Sequence, residues 1–180
     1  MVLKPQDVLV LLKLVSIGPK PWSYAWLAVQ LEMSPSQLHS AVRRVLAGGL
    51  AVLQGDEITP HLRTIEELLI HGVKYVFVPE RGELTRGVPT AHAAPPLSRH
   101  FRPTDEPPPV WPNRDGQTKG TAFSPLYKFA PNAATADSKL YELLVIVDAI
   151  RGGRAREQAI GIKELKQRLK AYGPTAKSKP

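Results

Sequence analysis

A mainly α fold with one small β hairpin, a proline-rich extended arm and a closing pair of C-terminal helices is what this sequence predicts. Three observations carry that expectation. Apolar residues recur at helical spacing, between recognisable start and stop signals, over 1–79 and again over 135–172. A short β-type run follows Gly48-Gly49 and returns through Gln54-Gly55-Asp56-Glu57. Ten of the 18 prolines crowd into the stretch from Glu80 to Pro131. The chain therefore divides into 1–79, 80–134, 135–172 and a short tail, 173–180, expected to be frayed.

The first helix is expected from Gln6 to Ile17. Val8, Leu9, Leu11, Leu12, Val15 and Ile17 are spread almost all round it, so it should be buried on more than one side, and Gly18-Pro19 ends it. Ser23 can cap a second helix that turns Tyr24, Leu27, Ala28 and Leu31 inward. The strongest local signal is Ser34-Pro35-Ser36-Gln37, an N-cap, a proline at the first helical position and the Gln of a capping box. The helix it opens runs to about Ala47 and buries Leu38, Ala41, Val42, Val45 and Leu46. Its other face carries Ser36, Gln37, His39, Ser40, Arg43 and Arg44 and no acid, a surface suited to a major groove, where Arg forks onto guanine and Gln reads adenine. Leu50 to Leu53 reads as a strand, with Ile58 on the return. Thr59-Pro60 then opens a helix burying Leu62, Ile65, Leu68, Leu69 and Ile70, which ends at Gly72, and Val73 to Val78 alternates like a further strand.

Between 80 and 134, prolines remove backbone donors and fix φ, which argues against regular helix or a central strand. Phe101, Val110, Trp111, Phe123, Leu126, Tyr127 and Phe129 argue for an extended arm laid over another surface rather than a loose linker. Asp137-Ser138 can cap a helix that is apolar nearly all round from Leu140 to Ile150, and that must pack on the first segment or on a second chain. Arg151-Gly152-Gly153-Arg154 interrupts. A last helix, Ala155 to Ala171, turns Ile160, Ile162, Leu165 and Leu169 inward and Arg156, Lys163, Lys166, Arg168 and Lys170 outward.

Two helices followed by a small hairpin give a winged helix order. The run Tyr24-Ala25-Trp26-Leu27-Ala28 through Ser34-Pro35-Ser36-Gln37-Leu38-His39-Ser40-Ala41-Val42-Arg43-Arg44-Val45-Leu46-Ala47-Gly48-Gly49-Leu50 resembles the winged helix-turn-helix transcription regulators, the MarR-like group among them, over roughly Pro5 to Ile70. The resemblance implies that the third helix reads DNA through Ser36, Gln37, His39, Ser40, Arg43 and Arg44. One departure is the hairpin tip, Gly55-Asp56-Glu57, acidic where a wing that touches DNA is typically basic. The string Asp148-Ala149-Ile150-Arg151-Gly152-Gly153-Arg154-Ala155-Arg156-Glu157 is similar to the closing segment of winged-helix regulators and antitoxins paired with nucleotidyltransferase-like toxins.

Charge is unevenly placed. Of 24 Lys and Arg and 16 Asp and Glu, residues 151–180 hold nine and two, so nearly all of the net +8 lies in the last sixth of the chain. Arg151, Arg154, Arg156, Lys163, Lys166 and Arg168 are accordingly candidates for contact with phosphate or a partner. The competing reading is a helix terminus neutralised by Arg, with Asp148 and Glu157 as ion-pair partners. No Cys is present, so disulfides, thiolate zinc and thiol nucleophiles are excluded. His39, His61, His71, His92 and His100 lack metal-ligand spacing, and neither a phosphate-cradling glycine pattern nor a strained nucleophile turn occurs, so no metal, no cofactor and no enzyme activity are expected. No membrane span or signal peptide is read, and the expected location is the cytoplasm, on the nucleoid. The expected function is a sequence-specific regulator of transcription that binds double-stranded DNA, a homodimeric repressor. The alternative is an antitoxin-like module that holds a partner toxin through its arm and C-terminal helices.

Overall fold

The computed structural model describes residues 2–172; the tail expected to fray at 173–180 lies outside the described residues. At its centre is α1 (Pro5–Ile17), with every side chain from Asp7 to Ser16 buried. A helix without a polar face has to be surrounded, and here the surrounding elements all belong to the same chain: α3 (Pro35–Ala47), the hairpin, and the two C-terminal helices. Helix α1 therefore offers no face to a second copy. Short α2 (Tyr24–Gln30) packs on α3 and starts at Ser23, whose Oγ accepts the Trp26 N–H at 3.2 Å. The capping box of α3 forms as read: the Gln37 N–H donates to Ser34 Oγ at 3.2 Å, and the Ser34 N–H to Gln37 Oε1 at 2.9 Å. Leu38, Ala41, Val42 and Val45 carry the buried face of α3. Strands β1 (Ala51–Gln54) and β2 (Glu57–Pro60) pair antiparallel, Leu53 opposite Ile58 and Gln54 opposite Glu57.

The strand expected over Val73–Val78 is not formed. The chain runs from α4 (Leu62–Glu67) through a wide turn at Leu68–Gly72 into α5 (Val73–Val76), and the Phe77 N–H still bonds the Val73 carbonyl at 2.9 Å. Alternating apolar residues make a strand only where a neighbour supplies the ladder. None adjoins this stretch, so the backbone satisfies itself by continuing the helix, burying Val73 and leaving Tyr75, Val76 and Val78 exposed.

The segment 80–134 is also more regular than its prolines suggested. Strand β3 (Arg81–Pro89) pairs antiparallel with both β4 (Pro109–Pro112) and β5 (Thr118–Phe123), and β4 pairs parallel with β5, closing a small three-stranded unit. Pro89, Pro109 and Pro112 sit at strand ends, where a missing donor costs least. Closure needs very close backbone approach. A Cβ on Gly87 would stand 2.0 Å from the Trp111 carbonyl oxygen, and one on Gly120 would stand 2.0 Å from that of Pro108. The anchors are real: Val110, Trp111, Phe123 and Leu126 are buried and Phe101, Tyr127 and Phe129 half-buried, but Trp111, Phe123 and Leu126 belong to the protein's own core and not to an arm on its outside.

After α6 (Ala130–Thr135) come α7 (Ser138–Gly152) and α8 (Ala155–Tyr172), packed on each other. Helix α7 finds its partners in α1, α5, α6 and α8, so the first segment covers it and no second chain is needed. The same core cluster contains residues of 1–79, 80–134 and 135–172 alike. The fold is thus mainly α with small β elements. Among the described residues no helix is long and apolar enough to cross a membrane.

The start of α7 is fastened to α1. The Asp137 carboxylate caps α7 by accepting the Leu140 N–H at 3.0 Å, meets Lys13 Nζ at 2.8 Å and lies 2.7 Å from Ser16 Oγ. Burial alone would raise the Asp137 carboxyl; Lys13, the Leu140 N–H and Ser16 outweigh it and hold the group below its ordinary value. A depressed carboxyl stabilises the fold above its unfolded-state value, and the contribution vanishes as pH falls through the lower folded-state value. Near neutral pH, Asp137→Asn is therefore expected to cost about 2–3 kcal/mol. In urea titrations at increasingly acid pH, the gap between wild type and variant should close.

Candidate nucleic-acid interface

Helix α3 is held by its apolar side, which leaves its polar side free to solvent. Ser36, Gln37, His39 and Arg43 are exposed and Ser40 is half-buried. Their freedom differs. Gln37 has committed Oε1 to the cap, and Ser36 Oγ lies 3.2 Å from Ser34 Oγ, so both are oriented by the first turn of the helix. The His39 ring stacks flat on Tyr24, with centroids 4.2 Å apart and planes 9° apart, which fixes its rotamer against α2. Partial burial in this stack pushes the Tyr24 hydroxyl up from its ordinary value. Arg43 has no ion-pair partner among the described residues, and it is the one full positive charge that α3 presents freely.

Arg44 does not share that role. Its Nε and Nη2 fork onto Asp7 Oδ2 and Oδ1, both at 2.7 Å, and the Asp7 side chain is 0% exposed. Asp7 Oδ2 also accepts the Lys4 N–H at 2.8 Å, so the same carboxylate starts α1 and ties α1 to α3. The hydrogen bond to Asp7 raises the Arg44 guanidinium further, against the opposing effect of burial. A guanidinium committed to a buried carboxylate cannot also fork onto a base, and this removes Arg44 from the expected reading set. The tie spans 37 residues of sequence, and the one local hint of it is a carboxylate in an otherwise apolar helix. The hairpin tip, Asp56-Glu57, is exposed and remains acidic.

The C-terminal cations divide in the same way. Arg151 is interior: its Nε meets Asp148 Oδ1 at 2.8 Å, Nη1 donates to the Phe77 carbonyl at 3.1 Å, and Nη2 donates to the Ser124 carbonyl. Arg168, expected outward, lies back against α7 and along α8, with Nε 2.7 Å from Glu142 and Nη1 3.0 Å from Glu164. Burial lowers the Arg168 guanidinium and its acidic neighbours, Glu142 foremost, more than restore it. Neither residue is free for phosphate or a partner. Lys163 is exposed, and Lys166 is exposed with Glu66 at 3.8 Å. Arg154 meets Glu106 at 3.1 Å, both well exposed, and Arg156 lies over the Phe101 ring, 5.7 Å from its centre. The sequence reading did not include Arg81, Arg99 and Arg102, which the fold brings to the same cleft as Arg154 and Arg156. They sit in a segment with little charge bias, so no run of bases marked them.

Compared with protein-family models, with curated proteins and with solved structures, the chain gives no significant match.

The two adjacent arginines of α3 should therefore separate cleanly. Arg44→Ala, which leaves the Asp7 carboxylate buried and unpaired, is expected to lower unfolding free energy by about 3–5 kcal/mol. Arg43→Ala should stay within about 0.5 kcal/mol of wild type. Chemical denaturation of the two variants side by side reads the difference.

Proposed function

We propose that 1–79 forms a winged helix-turn-helix that binds double-stranded DNA, and that the protein is a sequence-specific regulator of transcription acting as a dimeric repressor. One observation carries this reading: α3 buries one face and turns outward Ser36, Gln37, His39, Ser40 and Arg43, with no carboxylate among them. Those are short or planar hydrogen-bonding groups on a rigid helix, the chemistry that base edges in a major groove accept. The order α1, α2, α3, β1, β2 agrees with such a module. The acidic hairpin tip would be repelled by phosphate, so sequence reading rests on α3 alone in this proposal.

Pairing of two copies needs a surface other than α1 or α7. The exposed apolar run Tyr75, Val76 and Val78, with Leu84 also exposed, supplies one. The same run supports the antitoxin-like reading, in which a partner protein covers it in place of a second copy. Light scattering distinguishes the two: a dimer that Val76→Glu with Val78→Glu converts to a monomer supports the repressor, and a monomeric wild type supports the partner-binding module.

The direct test is selection of bound fragments from genomic DNA with the full chain, followed by gel-shift titration of the recovered site. Truncation before α7 is unsuitable, because α7 covers α1. Arg43→Ala is expected to weaken binding by about 1–3 kcal/mol and to relax preference at one position. Unchanged affinity, or failure to recover any enriched sequence, would remove α3 as a reading helix.

A further inference from the structure

A wide concavity lies away from α3. It is a cleft of about 1530 Å³ between the start of β3, the turn around His100, the stretch leading into β4 and the N-terminal end of α8. Five arginines line it, Arg81, Arg99, Arg102, Arg154 and Arg156, against two carboxylates, Glu106 and Glu157. Counting those seven charges gives the lining a net +3. Concentrating like charge in a concave surface is costly unless something answers it, and low-dielectric walls focus the field on whatever enters.

The arrangement is pre-positioned. Arg81 donates to the Gly152 carbonyl at 2.6 Å and lies 5.3 Å from the centre of the Phe123 ring. Arg99 is held by Glu164 at 2.9 Å, a buried carboxylate that also meets His100 at 2.8 Å. Arg156 lies 5.7 Å from the centre of the Phe101 ring. The opposite wall is the proline run 107–109, whose carbonyls are pinned: that of Pro108 accepts the Thr121 N–H at 2.9 Å, and that of Pro109 accepts the Thr90 N–H at 3.0 Å. Guanidinium groups fixed in this way lose little freedom when they bind, and they match oxyanions in a planar fork. Arg102 has no ion-pair partner among the described residues. Arg154 has only Glu106, at 3.1 Å in an exposed, solvent-screened pair that a stronger anion can displace.

We propose that this cleft binds a chain of consecutive phosphates, either the backbone of a single nucleic-acid strand or a free polyphosphate. Phosphate is favoured over the carboxylates of an acidic protein segment for two reasons. The cleft already holds carboxylates of its own on Arg154 and beside His92, so another carboxylate would exchange like for like, whereas each phosphate of a chain is a tetrahedral group whose bridging oxygens add acceptors beyond the pair that a carboxylate offers to a guanidinium fork. The volume exceeds that of an ordinary small-molecule pocket, roughly 300–1,000 Å³, and suits an extended chain. The site is separate from α3 and stands whether or not α3 reads DNA.

The experiment uses the full chain and three probes: a fluorescein-labelled twelve-nucleotide oligo-dT, tripolyphosphate, and a poly-glutamate peptide. Anisotropy follows the oligonucleotide and calorimetry the other two. The triple variant Arg102→Ala, Arg154→Ala, Arg156→Ala changes exposed side chains without touching the buried pairs, and circular dichroism checks its fold. Expected is binding of the oligonucleotide or of tripolyphosphate that weakens at least about 30-fold in the triple variant and tightens a few-fold in Glu106→Gln, which frees Arg154. If the oligonucleotide binds, with log affinity falling against log salt at a slope of about −2 to −3.5, the source is a nucleic-acid strand; if only tripolyphosphate binds, it is a free phosphate chain. In either case Arg63→Ala, an exposed cation outside the cleft, should leave binding unchanged. The proposal is overturned if the folded triple variant binds as wild type does, if neither phosphate probe binds below millimolar concentration, or if poly-glutamate binds more tightly than both.

Discussion

A carboxylate and a guanidinium one turn apart near the end of α7, both shut away from water, hold together pieces of chain that lie far apart in sequence. Asp148 Oδ2 accepts the Thr90 hydroxyl at 2.7 Å and the Trp111 indole N–H at 2.6 Å, and Oδ1 accepts Arg151 Nε at 2.8 Å. Arg151 then reaches the carbonyls of Phe77 and Ser124 and lies 5.2 Å from the centre of the Phe123 ring. The pair thus takes in the end of α5, the end of β3, β4, β5 and α7. Burial pushes the Asp148 carboxyl up, and Arg151, Thr90 and Trp111 pull it back. The geometry fits the ionised form, because an indole N–H and a guanidinium can only donate. Such a pair adds little net stability over apolar residues of the same size. Its significance is that losing either partner strands the other in a dry interior, at a cost of about 3–5 kcal/mol. It therefore selects one arrangement of β3–β5 on α7.

The two ends of α7 are pinned by the same device. Asp137 opens the helix and reaches Lys13 and Ser16 of α1, and Asp148 closes it on the small closed sheet. Asp7 does the same for α3 through Arg44. In each case a carboxylate with a local task, capping a helix or accepting from its neighbours, is shared with a cation or donor far away in sequence. Elements of different composition are thereby fixed in register on one core, and this explains why a chain that divides so clearly by composition does not divide by packing. Tyr141 adds to the seam: its hydroxyl donates to the Pro89 carbonyl at 2.6 Å, and burial pushes it up to about 12.

Reading the sequence worked where the determinant is local. The Ser34–Gln37 capping box, the buried face of α3, the turn at Gly55 and the all-round burial of α1 and α7 depend on residues a few positions apart, and they lie where the pattern put them. It failed where the determinant is a partner. Val73–Val78 has strand-like alternation, yet no strand adjoins it. The prolines of 80–134 ruled out continuous regular structure, but not short strands that keep prolines at their ends and glycines at their crossings. The exposed polar face of α3 was legible except at Arg44, and the outward C-terminal cations except at Arg151 and Arg168. All three exceptions are arginines whose carboxylate lies on another element or a helical turn away, and the side-chain type alone does not say which way an arginine will be spent.

That distinction changes the meaning of the basic tail. By composition, residues 151–180 hold almost the whole net charge and so suggest a basic helical segment free to meet phosphate or a partner. In the fold, Arg151 serves as an interior strut and Arg168 is matched by Glu142 and Glu164. Arg154 and Arg156 keep their charge outward, and they do so at the mouth of a cleft whose other cations, Arg81, Arg99 and Arg102, come from a segment with little charge bias. Positive potential here follows from tertiary placement: the α7–α8 turn carries two arginines to three others that β3 and the proline-rich stretch hold in place. Part of such a surface, Arg154 and Arg156, shows in a window sliding along the chain; the rest comes only from the fold, carried on the same strands and carbonyls that Asp148 and Arg151 tie to α7.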